Sequence, residues 1–249
     1  MIKKAVEKTK KVVGELIFGV NPLIELLKAK KRKLISIYTT KPQPKGWIEV
    51  EKLLPPYNVA VQYVDRTVLS KMVESQDHQG FVAWVQSFAY QKKFFEPAKA
   101  PFIVLLDGVQ DPRNLGAIIR SMYCMGVSGI VLIKKGASPL TPAAIKASAG
   151  LAEYMQIFVA CSIGEALLLV KNAGYALYIA TFGGKNVTEM PFQAPLCLVV
   201  GSEGSGVSHV ALKEGTKITV PQVSSDVSYN ASVAASLIAF VITQKMQKP

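Results

Sequence analysis

Residues 102–120 read FIVLLDGVQDPRNLGAIIR. The nearly unbroken apolar run ending on Asp107 predicts a strand buried on both faces. The turn after it carries Asp111-Pro112, a turn-favouring pair, and Asn114 is placed to cap a helix running on through Arg120. The same alternation continues outward on the C-terminal side. Strands are predicted at GIVLIK (129–134), YMQIFVA (154–160), ALYIAT (176–181), LCLVVG (196–201) and KITVP (217–221), and the chain ends in a helix, ASVAASLIAFVITQKM (231–246). Apolar strands alternating with helices indicate an α/β fold whose parallel sheet is covered on both faces.

Working towards the N-terminus, residues 89–101 (AYQKKFFEPAKAP) break the periodicity with two prolines and three lysines and read as a linker. Before it lies a smaller α/β unit over 15–88. Asn21-Pro22 is expected to cap and begin a helix through LIELLKAK. LISIYTT (34–40) reads as a strand, IEVEKLL as a short helix stopped by Pro55-Pro56, and VAVQYV (59–64) as a strand. A helix near 66–74 then leads through Asp77-His78-Gln79-Gly80 into the strand FVAWVQSF. Residues 1–14, with five lysines and one glutamate, form a basic lead-in.

The chain has 249 residues, half of them apolar and 18% charged, which excludes wholesale disorder and allows a core without disulfide or metal staples. Lys and Arg number 29 against 17 Asp and Glu, a net charge of +12. The excess is uneven: residues 1–100 carry 18 basic and 9 acidic side chains, residues 101–249 carry 11 and 8. A basic half joined to a nearly balanced half suggests a polyanion-binding part attached to a part with another task. Cys124, Cys161 and Cys197 lie apart in apolar contexts and read as buried free thiols in a reducing compartment. His78 and His209 have no second ligand at metal spacing, so no metal is expected. His78 itself reads as a turn residue entering a strand. No apolar run approaches a membrane span, the N-terminus lacks the pattern of a signal peptide, and a cytoplasmic protein is expected.

In open α/β sheets ligands bind at the carboxyl ends of strands, and three strand ends here carry unusual residues. The first is Asp107–Arg120, where Arg120 follows Asn114 by about 1.7 helical turns, so that the two converge only if the arginine reaches forward. The second is Val200-Gly201-Ser202-Glu203-Gly204-Ser205-Gly206, whose glycines expose backbone N–H groups. Its order, G-x-x-G-x-G, differs from that of a dinucleotide site and disfavours an oxidoreductase. Glu203 needs a cationic or hydroxyl partner if buried, and Arg120 is the candidate. The third runs from Val220-Pro221 to Ser228-Tyr229-Asn230-Ala231-Ser232, with Ser228 or Asn230 as cap of the last helix.

Together the three segments resemble the SpoU-type RNA 2′-O-ribose methyltransferases of the SPOUT superfamily. The first matches that family's D-x-x-x-D-P-x-N-x-G-x-I-x-R motif at every fixed position. The second matches hydrophobic-G-S-E-G-x-G, and the third resembles I-P…S-L-N-x-S-V-A through Pro221, Ser228, Asn230, Ser232, Val233 and Ala234. The N-terminal half is similar to the group's substrate-binding domain, itself similar to RNA-binding ribosomal proteins, through Phe18-Gly19-Val20-Asn21-Pro22, Leu26-Leu27 and His78–Ala83. The two-part layout is most similar to the 23S rRNA guanosine-2′-O-methyltransferase subgroup.

The resemblance implies a parallel-sheet catalytic domain over 102–249 with a C-terminal trefoil knot, preceded by a small RNA-binding domain. It implies S-adenosylmethionine as cofactor, held by Gly201, Val220 and Tyr229 with Thr181 at a neighbouring strand end. It places Arg120 at the ribose 2′-hydroxyl with Asn114, Glu203, Ser228 and Asn230 around it, and implies a homodimer built near the last helix. An arginine is a poor base because its guanidinium stays protonated, so Arg120 is expected to hold a phosphate or stabilise the developing alkoxide, oriented by Glu203. Two positions depart from the pattern: Tyr229 replaces the usual Leu and Ala231 a common Val. Ribosomal RNA is the expected substrate. The alternatives are a tRNA 2′-O-methyltransferase or an RNA-binding ribosome-assembly factor without catalysis.

Overall fold

A computed structural model describes residues 14–224 and 227–246. The lysine-rich lead-in expected over 1–14 lies, except for Gly14, outside the described residues. Gly14 instead opens a strand, β1 (Gly14–Phe18), which is followed by α1 (Val20–Ala29), β2 (Leu34–Thr39), α2 (Trp47–Leu53), β3 (Ala60–Tyr63), α3 (Arg66–Val73) and β4 (Phe81–Gln86). These strands form a sheet in the order β1-β4-β2-β3, in which β4 runs antiparallel to both β1 and β2 while β2 and β3 are parallel. Helix α1 begins two residues earlier than the sequence suggests. Its cap is Gly19, at φ 94°, and not Asn21, which lies inside the first turn with Pro22. A backbone position with positive φ suits glycine, and no side-chain cap bond is made there.

The second half follows as β5 (Phe102–Asp107), α4 (Pro112–Cys124), β6 (Gly129–Ile133), α5 (Pro142–Ala147), β7 (Ile157–Ala160), α6 (Ile163–Asn172), β8 (Ala176–Asn186), β9 (Leu196–Gly201), β10 (Thr216–Thr219) and α7 (Ala231–Met246). Its sheet has the order β10-β8-β9-β5-β6-β7, and every neighbouring pair is parallel. Strands β5, β6 and β9 are buried along their whole length, as their unbroken apolar sequences require. Helix α7 packs on α4, β8 and β9, so the chain's end returns from the sheet edge to its middle. Among the described residues no helix is long and apolar enough to cross a membrane.

The two sheets share one apolar core. Ile17, Leu23, Trp47 and Phe81 belong to the same buried cluster as Val104, Leu115 and Ile118. The stretch 89–101, read as a linker, has no helix or named strand yet is anchored. The Gln91 N–H donates to the Ile157 carbonyl at 2.8 Å, Phe95 is buried, and Phe94 makes edge contacts with Phe158 and Tyr175. Polar contacts reinforce the seam. Arg32 Nε donates to Glu153 Oε2 at 3.0 Å, its Nη2 to Glu153 Oε1, and its Nη1 to Glu15 and to the Gln86 carbonyl at 3.1 Å. Tyr154 Oη donates to Glu25 Oε2 at 2.8 Å, and burial with that carboxylate raises the phenol pKa to about 12. Lys146 of α5 donates to Gln79 Oε1 at 2.5 Å. The cysteine expectation holds only for Cys197: burial pushes that thiol's pKa up, whereas Cys124 and Cys161 are exposed.

Candidate active site

The three motif segments meet at the carboxyl ends of β5, β9 and β10. The first begins with Asp107, whose Oδ2 accepts the Ser208 N–H at 2.8 Å and so ties the end of β5 to the loop following β9. The opening aspartate of the motif is thus a structural tie between strand end and loop. The helix cap is Asp111, not Asn114: Asp111 Oδ1 accepts the Arg113 N–H at 2.8 Å, with Pro112 in the first turn. Asn114 is thereby released from capping and stands on the first turn of α4 with its amide free to bond across the crevice. Gly116, two residues on, lies where α5 crosses. A Cβ there would stand 2.4 Å from the Ala144 carbonyl oxygen, so the motif glycine is set by helix packing.

In the second segment, Ser202 and Gly206 exchange backbone hydrogen bonds at 3.1 Å, and Ser202 Oγ lies 2.8 Å from Ser205 Oγ. This folds the glycine loop back on itself. A Cβ on Gly201 would fall 2.1 Å from the Gly206 carbonyl carbon, so Gly201 is required by the loop's own closure. In the third segment, Asn230 immediately precedes α7. Its Oδ1 accepts from Ser232 N at 2.8 Å and Ser232 Oγ at 2.6 Å, which makes Asn230 and not Ser228 the cap. Gln222 Nε2 donates to the Val227 carbonyl at 2.8 Å, bracing the loop before α7; no sequence signal had singled this residue out.

Side chains then join the segments. Asn114 Nδ2 donates to Glu203 Oε1, and Asn230 Nδ2 donates to Asn114 Oδ1 at 3.1 Å. Glu203, Asn114 and Asn230 thus form a continuous chain across three loops far apart in sequence. The expected Glu203–Arg120 pair is not formed. Glu203 is exposed and takes its partner from a neutral amide, while Arg120, six residues along α4, is exposed and has no ion pair among the described residues.

Beside this chain lies a cavity of about 390 Å³, within the range of small-molecule sites. Thr181, Gly201, Val220 and Tyr229, the four residues expected at a cofactor, all line it, as do Glu203 and Ser228. Asn114, Arg120 and Asn230 are not among its lining residues and stand outside it. Val207, Ile218 and Ile238 give it apolar walls, and the loop backbone from Gly201 to Gly206 gives it polar atoms. An apolar slot with a polar backbone rim fits a flat nucleoside carrying a polar tail, so the residues present suit S-adenosylmethionine. Tyr229, at the position where the motif's leucine is expected, is 42% exposed and lines the wall. Phe182 lines the same cavity and is 54% exposed, a lining residue the motifs do not contain. No cluster of metal-binding side chains occurs among the described residues.

Comparison with known proteins gives the same reading. Residues 101–240 match the model of the SpoU rRNA Methylase family, and residues 16–91 match that of the RNA 2′-O ribose methyltransferase substrate-binding domain. The chain is 32% identical over 240 residues to a putative TrmH family tRNA/rRNA methyltransferase, YacO of Bacillus subtilis, covering 93% of this chain and 96% of that protein. It is 28% identical to the 23S rRNA (guanosine-2′-O-)-methyltransferase RlmB of Shewanella oneidensis, covering 91% and 95%. The crystal structure of an RNA 2′-O ribose methyltransferase shares the fold at TM-score 0.81 and 23% identity, covering 92% of this chain and 88% of that one. The SpoU methyltransferase AviRb of Streptomyces viridochromogenes, in complex with AdoMet, does so at 0.78 and 22%, covering 93% and 90%.

Proposed function

The chain belongs to the SpoU rRNA methylase family, and from that premise we propose that it methylates the ribose 2′-hydroxyl of a guanosine in 23S ribosomal RNA. It is an S-adenosylmethionine-dependent RNA methyltransferase. The observation that carries methyl transfer to a ribose hydroxyl is the Glu203–Asn114–Asn230 chain at the rim of the cofactor-sized cavity, with Arg120, which has no ion pair among the described residues, about 1.7 turns beyond Asn114 on α4. The relatives named as 23S rRNA guanosine methyltransferases, aligned over nearly their whole length, support the choice of substrate.

S-adenosylmethionine, when bound, supplies an electrophilic methyl group on a sulfonium sulfur. Thr181, Gly201, Val220 and Tyr229 are the residues we assign to holding it. A guanidinium is a poor base, so the task we assign to Arg120 is electrostatic: it stabilises the negative charge that grows on the 2′-oxygen as the hydroxyl proton passes to water. Glu203 orients Asn114 rather than Arg120, and Asn230 holds the opposite end of that amide. Ser228, on the cavity wall, lies on the loop that carries Asn230. Helix α7 leaves Val233, Leu237 and Phe240 exposed at one-face spacing, which supports a homodimer through this helix. The cavity is walled jointly by the ends of β8, β9 and β10 and by α7, and the trefoil knot we assign to this region rests on the family resemblance. The reading places the protein with its RNA in the cytoplasm, and divides it into an RNA-binding part over 15–88 and a methyltransferase part over 102–249.

The test is transfer of labelled methyl from S-adenosylmethionine to 23S rRNA and to tRNA, followed by mapping of the modified nucleotide. Label on a 23S guanosine ribose is expected. Label confined to tRNA moves the assignment to the tRNA enzymes. Tight RNA binding without transfer to either RNA makes the protein an assembly factor.

A further inference from the structure

A second and larger hollow opens on the N-terminal half. About 1100 Å³ in volume, it lies between α1, the loop 40–46, the end of β3 and the start of α3. The loop reads Thr-Lys-Pro-Gln-Pro-Lys-Gly, and Lys41 and Lys45 both line the hollow. Arg66, at the first position of α3, lines it too. All three cations are exposed and none has a carboxylate partner among the described residues. Elsewhere the basic side chains Lys28, Lys99 and Lys171 are each paired. Tyr63, 42% exposed, lines the same hollow. Gln43 Nε2 donates to its hydroxyl at 3.3 Å, and Lys41 Nζ lies 4.3 Å from its ring centroid. The ring is held by its edge and one face while the rest stays open.

We infer that this groove binds a single-stranded stretch of the RNA substrate, with one base stacked on Tyr63 and the adjoining phosphates on Lys41, Lys45 and Arg66. Cations spaced around an exposed, oriented aromatic ring are what single strands need: the charges follow the backbone, and the ring accepts any base. A duplex keeps its base faces stacked and would leave the ring unused. Two carboxylates also border the groove. Glu49 lies 4.0 Å from Lys28 and is turned towards it, whereas Asp65 faces the groove free to accept a base amino group. Gln79 closes one end and bonds both Val20 N at 3.2 Å and Lys146 of α5. Since α5 packs against α4 at Gly116, the groove is tied to the helix that carries Arg120.

The inference rests on the methyltransferase reading for the identity of the polymer, so its test is direct binding and needs no turnover. A fluorescein-labelled, unstructured pyrimidine-rich RNA oligonucleotide is titrated with the full chain at low salt and followed by anisotropy. Tyr63→Ala is expected to weaken binding about tenfold and Tyr63→Phe to restore it. Lys45→Gln and Arg66→Gln are each expected to lower the slope of log affinity against log salt by about 0.7. Polyglutamate as a second probe should be insensitive to Tyr63→Ala. Wild-type affinity in Tyr63→Ala, equal loss of polyglutamate, or no binding of the oligonucleotide to the intact protein each overturns the groove. Unfolding midpoints of these surface variants confirm that each is folded. Binding that depends on Tyr63 without methyl transfer keeps the groove and removes the enzyme reading. Methyl transfer with Tyr63-independent binding does the reverse.

Discussion

The seam between the two sheets and the rim of the cofactor cavity are both built from charged and amide side chains, but in opposite conditions. At the seam, Arg32 and Glu153 keep 3% and 1% of their side-chain surface, and the guanidinium is surrounded by acceptors. At the rim, Glu203, Asn230 and Arg120 are exposed, and the Asn114 side chain bonds Glu203 and Asn230, both site residues. A buried charge is tolerable only when fully paired, and removing its partner strands it. An exposed one can stay unpaired because water solvates it, which leaves it available to a substrate. The seam therefore holds the molecule together, and the rim keeps its bonding capacity for chemistry.

The sharpest way to break this contrast is at Arg32. Arg32→Ala leaves Glu153 buried without its partner and should cost about 3–5 kcal/mol, a fall in the thermal midpoint on the order of 10 °C for a chain of this size. Replacing both residues together by Met should recover much of that loss, because the penalty lies in the stranded charge. If Arg32→Ala unfolds at the wild-type temperature, the seam is not a buried ion pair in solution. Arg120→Ala should behave in the opposite way. Its unfolding midpoint should move by no more than about 0.5 kcal/mol of stability allows, while turnover falls roughly 10²–10³-fold with cofactor binding retained. Wild-type turnover in that variant removes Arg120 from the mechanism.

What the sequence disclosed follows the same division. The second sheet was legible because its strands are apolar throughout, and the three loops because their residue types are costly to keep for any other reason. The partners inside the site were not legible. Charge complementarity pointed from Glu203 to Arg120, but Asp111 takes over the helix cap, and this frees Asn114 to reach Glu203 first. Strand β1 was missed because its short GELIF run follows a lysine-rich stretch and gains its identity only by pairing with β4. Residues 89–101 read as a linker because they lack periodicity, yet Phe94 and Phe95 pack irregularly against the second sheet. Exposure of Cys124 and Cys161 was likewise hidden, since both have apolar neighbours in sequence that turn elsewhere in space.

A smaller effect is expected where the motif meets packing rather than chemistry. Gly116→Ala drives a methyl group into the α5 backbone and should destabilise by about 1–3 kcal/mol. If α4 shifts to relieve the contact, Asn114 moves with it, and turnover should fall along with stability. Loss of stability at unchanged turnover would show that the Asn114 bonds tolerate displacement of their helix.

The smallest effect concerns His78, which belongs to the turn whose next residue, Gln79, contacts α5. Its Nδ1 accepts the Gly80 N–H at 3.0 Å, so Nε2 carries the ring hydrogen and donates to Ser70 Oγ at 3.1 Å. Burial, and secondarily the Arg66 charge, lower its pKa below the ordinary 6.5; Lys146 acts in the same direction and Asp77 against it. The folded protein then binds this proton less readily than the unfolded chain, so acid favours unfolding. The contribution is complete above 6.5 and is lost as pH falls from there through the lowered folded value. A proton on Nδ1 would also oppose the Gly80 N–H and loosen the turn that positions Gln79. The unfolding midpoint of the wild type should therefore decline between about pH 7 and about pH 5 by more than that of His78→Asn, which has no group to titrate there. Equal declines in the two proteins would assign the acid sensitivity to other groups and leave His78 as packing alone.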